Sequence, residues 1–221
     1  GDEVEGVIAV HVDDLLIAGS EHFYATKVQY IRDHLDVGLE LAVPFKYVGA
    51  KITQSEDRKR IGWDMTQYAD ALNEVPIPPG MVDDVLLDKV YHKRYRNLLG
   101  QMTWLAIHGR PDAAYRVNKC ARKGAAPSLG DLKMLNKACR YVKKVVSTMQ
   151  FDHFPVARVI LYSDASSAPA NSTDDTLESQ SGAVILLAAD EVAAGLPCSI
   201  VTWFSKRCQR VCRSTMSSET N

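Results

Sequence analysis

Residues 7–18 read Val-Ile-Ala-Val-His-Val-Asp-Asp-Leu-Leu-Ile-Ala, two β-prone apolar runs on either side of an acidic pair. This pattern predicts a β-hairpin with Asp13 and Asp14 at its turn. Two adjacent carboxylates on a tight turn supply the oxygen ligands that Mg²⁺ prefers. An Asp pair at a turn is far more often simple turn chemistry, so the pair alone does not identify a metal site.

Downstream, the pattern alternates between helical and extended segments. Helical spacing predicts a helix over 21–35 and a shorter one over 67–73, which the proline-rich loop at 76–80 ends. Residues 45–53 and 60–65 are predicted to form a second hairpin around the polar turn 55–59.

A helical region follows from Tyr91, and Gly109-Arg110-Pro111 is predicted to end its first helix. Ser128 is predicted to cap a long helix with an apolar face. Near Phe154 the pattern changes again, and strands are predicted at 156–163, 181–187 and 200–205, with Asp164 at the end of the first. We predict an α+β chain with a domain boundary near residue 150.

Composition is that of an ordinary globular protein of 221 residues, long enough for one large domain or two small ones. No apolar run reaches the roughly 18 residues of a membrane span, so we expect no membrane partner. Five cysteines without a C-x-x-C pair favour a reducing compartment. The chain begins without Met or a signal-peptide pattern, so we expect it to be a piece of a longer protein.

The net charge of −1 hides a strong asymmetry. Residues 89–149 contain 14 Lys/Arg and two Asp/Glu, whereas residues 1–88 contain seven Lys/Arg and 17 Asp/Glu. The long helix carries a basic stripe that we predict to bind phosphates: Lys133, Lys137, Arg140 and Lys144. A solvated helical face is an equally simple interpretation of these charges.

Several motifs, in order along the chain, resemble those of copia-type retrotransposon polyproteins. Residues 12–19 resemble the Tyr-x-Asp-Asp hairpin of their reverse transcriptases, with His11 in place of the usual Tyr. The other reverse-transcriptase matches are Phe45-Lys-Tyr-Val-Gly49 to "YFLG", Gln67-Tyr68 to "QxxY", residues 95–105 to "YRxLIGxLxYL" and residues 110–115 to "TRPDIxYAV". Residues 161–165, 181–182 and 202–207 resemble the RNase H strands "YSDADWA", "STGY" and "SWxSKKQ".

The resemblance implies a fold and a domain order. Residues 1–80 would be the C-terminal part of a reverse-transcriptase palm with its hairpins, and 81–150 a basic, helical thumb and connection. Residues 151–221 would be the first half of an RNase H-like mixed sheet.

The resemblance also implies two metal sites that use Mg²⁺, with Mn²⁺ as a substitute. Asp13 and Asp14 would hold metal for polymerisation, with His11 near the primer end and the nucleotide. Asp164 and Glu219 would hold metal for RNA cleavage. The implied nucleic-acid contacts extend to Lys206, Arg207 and Arg210. The family's third polymerase Asp lies upstream of this hairpin, so we expect the fragment alone not to polymerise.

The implied partners are an RNA template, a DNA primer, the RNA–DNA hybrid, dNTPs and the rest of the Pol polyprotein. The implied location is a cytoplasmic virus-like particle whose DNA product is destined for the nucleus. Two alternatives stay open: a catalytically incomplete remnant that only binds nucleic acid, and a scaffold without a nucleic-acid role.

The sequence contains no G-x-S-x-G, phosphate-loop or dinucleotide motif and no zinc-type His/Cys spacing.

Overall fold

The computed structural model describes residues 4–77, 79–80, 82–166, 180–190 and 197–207. In these residues the chain is a mixed α+β structure with three antiparallel sheets and several helices, which confirms the predicted α+β class. No helix among the described residues has the length and apolar character needed to cross a bilayer.

The first sheet is the predicted acidic hairpin. Strands β1 (Gly6–His11) and β2 (Asp14–Gly19) pair antiparallel, with His11 opposite Asp14. The helical segment predicted after it is confirmed, although a π-helical turn interrupts it: α1 (Glu21–Phe23), the π-turn (Tyr24–Val28) and α2 (Gln29–His34).

Phe23 packs this helix onto one face of the hairpin. A Cβ atom on Gly6 or on Gly19 would lie 2.5 Å from the Phe23 ring, so both positions require glycine. Tyr24 strengthens the contact, because its hydroxyl donates to the Ile17 carbonyl at 3.0 Å. One face of the hairpin is therefore covered by helix.

The second sheet has the strand order β3-β4-β5-β6. Our prediction of one strand over 45–53 was wrong, because Val48 and Gly49 have φ values of +46° and +91° and reverse the chain there. Positive φ at both central residues is typical of a type I′ hairpin turn. The strands are β3 (Phe45–Tyr47), β4 (Ala50–Gln54), β5 (Arg60–Asp64) and β6 (Met149–Asp152).

Strand β6 was not predicted. It pairs antiparallel with β5, so that Trp63 lies opposite Met149 and Arg60 opposite Asp152. The domain boundary predicted near residue 150 lies inside this strand.

Four helices form the centre of the structure and contribute most of its core. The predicted stop at residues 109–111 and the predicted cap at Ser128 are both confirmed, and Ser128 forms a capping box with Asp131. The Tyr95 side chain is fully buried, and its hydroxyl donates to the Cys120 carbonyl at 2.7 Å. The helices are α3 (Thr66–Ala71), α4 (Lys89–His108), α5 (Ala114–Ala121) and α6 (Leu129–Lys144), with a 3₁₀ turn at Pro111–Ala113.

The third sheet packs against these helices. Its three strands were predicted and are each longer than expected, so Asp164 lies inside the first strand instead of at its end. The Trp203 Nε1 donates to the Ala106 carbonyl of α4 at 2.8 Å, and the Asp152 N–H donates to Ser199 Oγ at 2.9 Å. The strands are β7 (Ala157–Ser166), β8 (Gln180–Ala189) and β9 (Cys198–Arg207).

Candidate nucleic-acid and metal sites

The acidic turn joins β1 to β2 through Val12 and Asp13. Val12 has a φ of +53°, and it is the only described residue of the turn with a positive φ. A positive φ at the first central position alone is the φ pattern of a type II′ turn, which usually has glycine there. For a β-branched residue this conformation is strained, and such strain occurs preferentially at functional sites.

The register places His11 and Asp14 on the same face of the hairpin, since directly opposed residues point to the same side. This face is opposite to the one that Phe23 covers. The His11 ring packs 5.8 Å from the Trp104 ring and 6.4 Å from the Tyr47 ring, measured between centroids. The Trp104 Nε1 in turn donates to the Val48 carbonyl at 3.1 Å. His11 thus joins the acidic turn to α4 and to the β3–β4 turn.

Asp13 and Asp14 fit a hard divalent cation by the chemistry of their donor atoms. Both are exposed, and neither carboxylate makes an ion pair or a hydrogen bond with any described residue, so the side-chain oxygens are available to a ligand. Mg²⁺ is commonly held by one or two protein carboxylates, with water and phosphate oxygens completing its shell. Within the described ranges no cluster of three or more His, Cys, Asp or Glu could hold a metal ion.

Helix α4 presents a basic face that sequence reasoning missed. Lys89, Lys93, Arg96 and Gly100 are exposed and lie on the same side of the helix as the half-buried Trp104. At 1.5 Å per residue, Arg96 lies about 12 Å and Lys89 about 22 Å along the axis from Trp104. None of the three cations forms an ion pair or hydrogen bond within the described residues. The signal was present in the spacing of these residues, which repeats at three and four.

Gly100 lies midway along this α4 face. A Cβ atom there would meet nothing within 4 Å, so the packing of the chain does not require glycine. Glycine inside a helix costs about 1 kcal/mol relative to alanine. A smooth helix surface between the cations and Trp104 allows a backbone to approach closely, which is one use of glycine next to a ligand.

The predicted stripe on α6 is exposed but partly neutralised. The Lys133 Nζ lies 2.5 Å from Asp83 Oδ1, and Arg140 forms an ion pair with Glu74. Both acids come from the connector between α3 and α4. Lys137 and Lys144 make no ion pair with any described residue. Half of the predicted stripe therefore binds the protein's own connector.

The third sheet carries Asp164 in an open groove. Asp164 pairs with Gly182 of β8 and is exposed. The groove has a volume of about 560 Å³, and Tyr115 of α5 lines it together with the sheet. Asp164 is far along the chain from Asp13 and Asp14, and it lies on a different sheet.

The remaining predicted residues lie near the end of the described chain. Lys206 is exposed, with its Nζ 5.0 Å from the centre of the Phe204 ring, and Arg207 is exposed next to it. The register places Arg207 opposite Gln180, which lines the Asp164 groove. Glu219 and Arg210 lie outside the described residues.

A scan of the chain against protein-family models gives no match, and a search among curated proteins gives none either.

Proposed function

We propose that this chain is the part of an RNA-directed DNA polymerase that carries its two adjacent metal-binding carboxylates, joined to the first strands of an RNase H domain. The observation that carries the proposal is the acidic turn. It combines a strained Val12, two exposed carboxylates without partners among the described residues, and a hairpin face that meets the α4 helix through His11 and Trp104. A turn that served only to reverse the chain would not need this combination.

In the proposed polymerase site, Asp13 and Asp14 bind Mg²⁺ and His11 packs beside the primer end. Paired Mg²⁺ ions, when bound, activate the attacking primer oxygen and stabilise the leaving pyrophosphate oxygen. The exposed cations of α4 neutralise phosphates of the duplex behind the primer end, which positions the strand without reading its sequence. The protein therefore contributes placement and charge.

In the proposed RNase H site, Asp164 and Glu219 would hold metal, which would activate the water that cleaves the RNA strand of the hybrid. Three observations support this: Asp164 is exposed, it lies in a groove, and strands of the third sheet line that groove. A carboxylate in an open groove is accessible to a nucleic-acid strand.

The test compares single substitutions in the longer polymerase of which we propose that this chain is a part. We expect Asp14→Asn to abolish extension of a DNA primer on an RNA template while cleavage of the RNA strand persists. Glu219→Gln should have the reverse effect. Asp36→Asn, which changes another exposed carboxylate in the segment after α2, is the matched control and should leave both activities unchanged.

Normal primer extension by the Asp14→Asn protein would exclude the proposed polymerase site. Salt-sensitive binding to the hybrid without extension by the unsubstituted protein would instead support the binding-only alternative. Absence of binding even at low salt would favour a scaffold without a nucleic-acid role.

A further inference from the structure

The groove that contains Asp164 has a second wall that the proposed cleavage site does not explain. Tyr115 projects from α5 and is 53% exposed. Within the described residues its side chain makes no hydrogen bond and no ring contact. Tyr162 of β7 lines the same groove and is 62% exposed. Two tyrosines with most of their rings in solvent therefore line one concave surface.

The groove is held open by contacts at its base. The Gln180 Nε2 donates to Asn118 Oδ1 of α5 at 3.3 Å and to Ser205 Oγ of β9 at 2.7 Å. Trp203 fastens the same sheet to α4 through the Ala106 carbonyl. These bonds fix the spacing between α5 and the sheet, so the groove is formed before any ligand arrives.

Charge is distributed unevenly along this groove. Asp164 supplies a negative charge from the sheet. Lys119 follows Tyr115 by one helical turn on the same side of α5, just outside the residues that line the groove, and Lys123 lies in the turn after the helix. Both lysines are exposed, and neither forms an ion pair within the described part of the chain. A cation therefore lies beside the α5 wall of the groove, whereas the sheet side carries the negative charge of Asp164.

Size and chemistry together define the ligand. Sites for small ligands have volumes of roughly 300–1,000 Å³, so a groove of about 560 Å³ takes a nucleotide-sized part of a strand and not a whole duplex. The flat tyrosine rings suit a sugar or a base, the serine hydroxyls of the lining suit sugar oxygens, and the lysines suit phosphates.

We propose that this groove binds the sugar–phosphate backbone of one strand of an RNA–DNA hybrid, with Tyr115 packed against a sugar and Lys119 next to a phosphate. The inference rests on the proposed function, since it makes α5 the substrate-positioning wall of the Asp164 site. Tyr115 acts here as a binding residue and takes no part in the chemical step.

The experiment measures binding of the 221-residue chain to a fluorescein-labelled RNA–DNA hybrid by anisotropy at several salt concentrations. Tyr115→Ala should raise the Kd about fivefold, and Tyr115→Phe should leave it unchanged because the ring is retained. Lys119→Gln should reduce the slope of log K against log salt by about one. Tyr30→Ala removes a tyrosine that is 62% exposed on α2, far from the groove in sequence, and should bind as the unsubstituted chain does.

The outcomes separate the inference from the function on which it rests. Binding by the unsubstituted chain with an unchanged Kd for Tyr115→Ala would overturn the groove assignment and leave the proposed function standing. An equal loss in Tyr115→Phe and Tyr115→Ala would overturn the packing of the ring on a sugar. Failure of the unsubstituted chain to bind the hybrid at low salt would overturn both.

Discussion

Arg110 is a buried charged residue that holds the connection between α4 and α5, residues 110–112, in one conformation. Its guanidinium is 3% exposed and forks onto Asp112, with Nε 2.9 Å from Oδ1 and Nη2 2.7 Å from Oδ2. Its Nη1 also donates to the Val142 carbonyl near the end of α6 at 2.7 Å. One side chain therefore ties the α4–α5 corner to α6, and the segment has a structural role independent of either proposed site.

The ion pair with Arg110 affects the pKa of Asp112. Burial raises the pKa of the carboxyl, but the hydrogen bonds and charge of Arg110, together with a hydrogen bond from Tyr141, outweigh burial, and the net pKa is below the ordinary value of 3.8. Because the pKa is lower in the folded chain, the unfolded chain holds more protons between the two values. The pair therefore stabilises the folded protein above about pH 3.8, and this stabilisation is lost as the pH falls through the folded pKa.

We predict that Asp112→Asn lowers the free energy of unfolding by about 2 kcal/mol at pH 7, since it leaves the buried Arg110 without its anion. The difference from the unsubstituted chain should shrink below pH 4 as the wild-type carboxyl becomes protonated. Urea unfolding at a series of pH values measures both quantities, with Asp36→Asn as the exposed control. A difference that stays constant down to pH 2 would contradict the assignment of the ion pair.

At the scale of helices, α4 and α6 have similar numbers of cations but different partners. The connector between α3 and α4 places Glu74 and Asp83 against α6, and Lys143 also donates to the Leu72 carbonyl at 2.8 Å. The exposed cations of α4 have no such acids beside them within the described residues. The two helices should therefore contribute differently to any binding of phosphates.

We predict that the double substitution Lys93→Gln/Arg96→Gln on α4 lowers the salt slope of hybrid binding by about two, because two phosphate contacts are lost. The matched pair on α6, Lys133→Gln/Arg140→Gln, should change the slope by less than about one, since those cations already have anionic partners. Anisotropy titrations between low and physiological salt measure the slopes. A larger effect on α6 than on α4 would show that the stripe predicted from sequence is the true contact surface.

At the scale of the whole molecule, β6 links parts of the chain that the sequence separates. It pairs with β5 on one side, and Asp152 at its end bonds to Ser199 of β9. Trp203 adds a second bond between the third sheet and α4. The described structure therefore has no gap at residue 150 across which one part would separate without loss of hydrogen bonds.

We predict that the second and third sheets unfold together. Two single-tryptophan variants report on them separately: Trp104→Phe/Trp203→Phe leaves Trp63 in β5, and Trp63→Phe/Trp104→Phe leaves Trp203 in β9. Their urea transitions, followed by fluorescence, should have the same midpoint if unfolding is a single cooperative step. Two separate midpoints would mean that the predicted boundary near 150 divides independently stable units.

Local signals in the sequence were sufficient for the elements that depend on neighbouring residues. The acidic hairpin, the stop at residues 109–111 and the Ser128 cap follow from residues within a few positions of one another. Contacts between residues far apart in the chain could not be predicted from such local signals. Strand β6 exists because Met149 meets Trp63, and the α6 stripe is partly neutralised by Glu74 and Asp83.

In the candidate site, too, the local features were predicted from the sequence and the contacts between distant residues were not. Asp13 and Asp14 were predicted at a turn; Asp13 lies in it, Asp14 is the first residue of β2, and both are exposed. The packing of His11 on Trp104 was not predicted, because it joins residues far apart in the chain. The positive φ of Val12 was not predicted either, because glycine is the residue usually found in that conformation. The roles of Asp13 and Asp14 in metal binding and polymerisation stay predictions.

The ten-residue strand β7 has a practical consequence for handling the protein. Within the described ranges its backbone pairs only with β8, so its outer edge is open, and Val159 and Leu161 are 70% and 61% exposed on it. A long apolar edge accepts a strand from a neighbouring molecule. We therefore expect concentrated solutions of this chain to form ribbons by strand addition, and dilute samples to stay monodisperse.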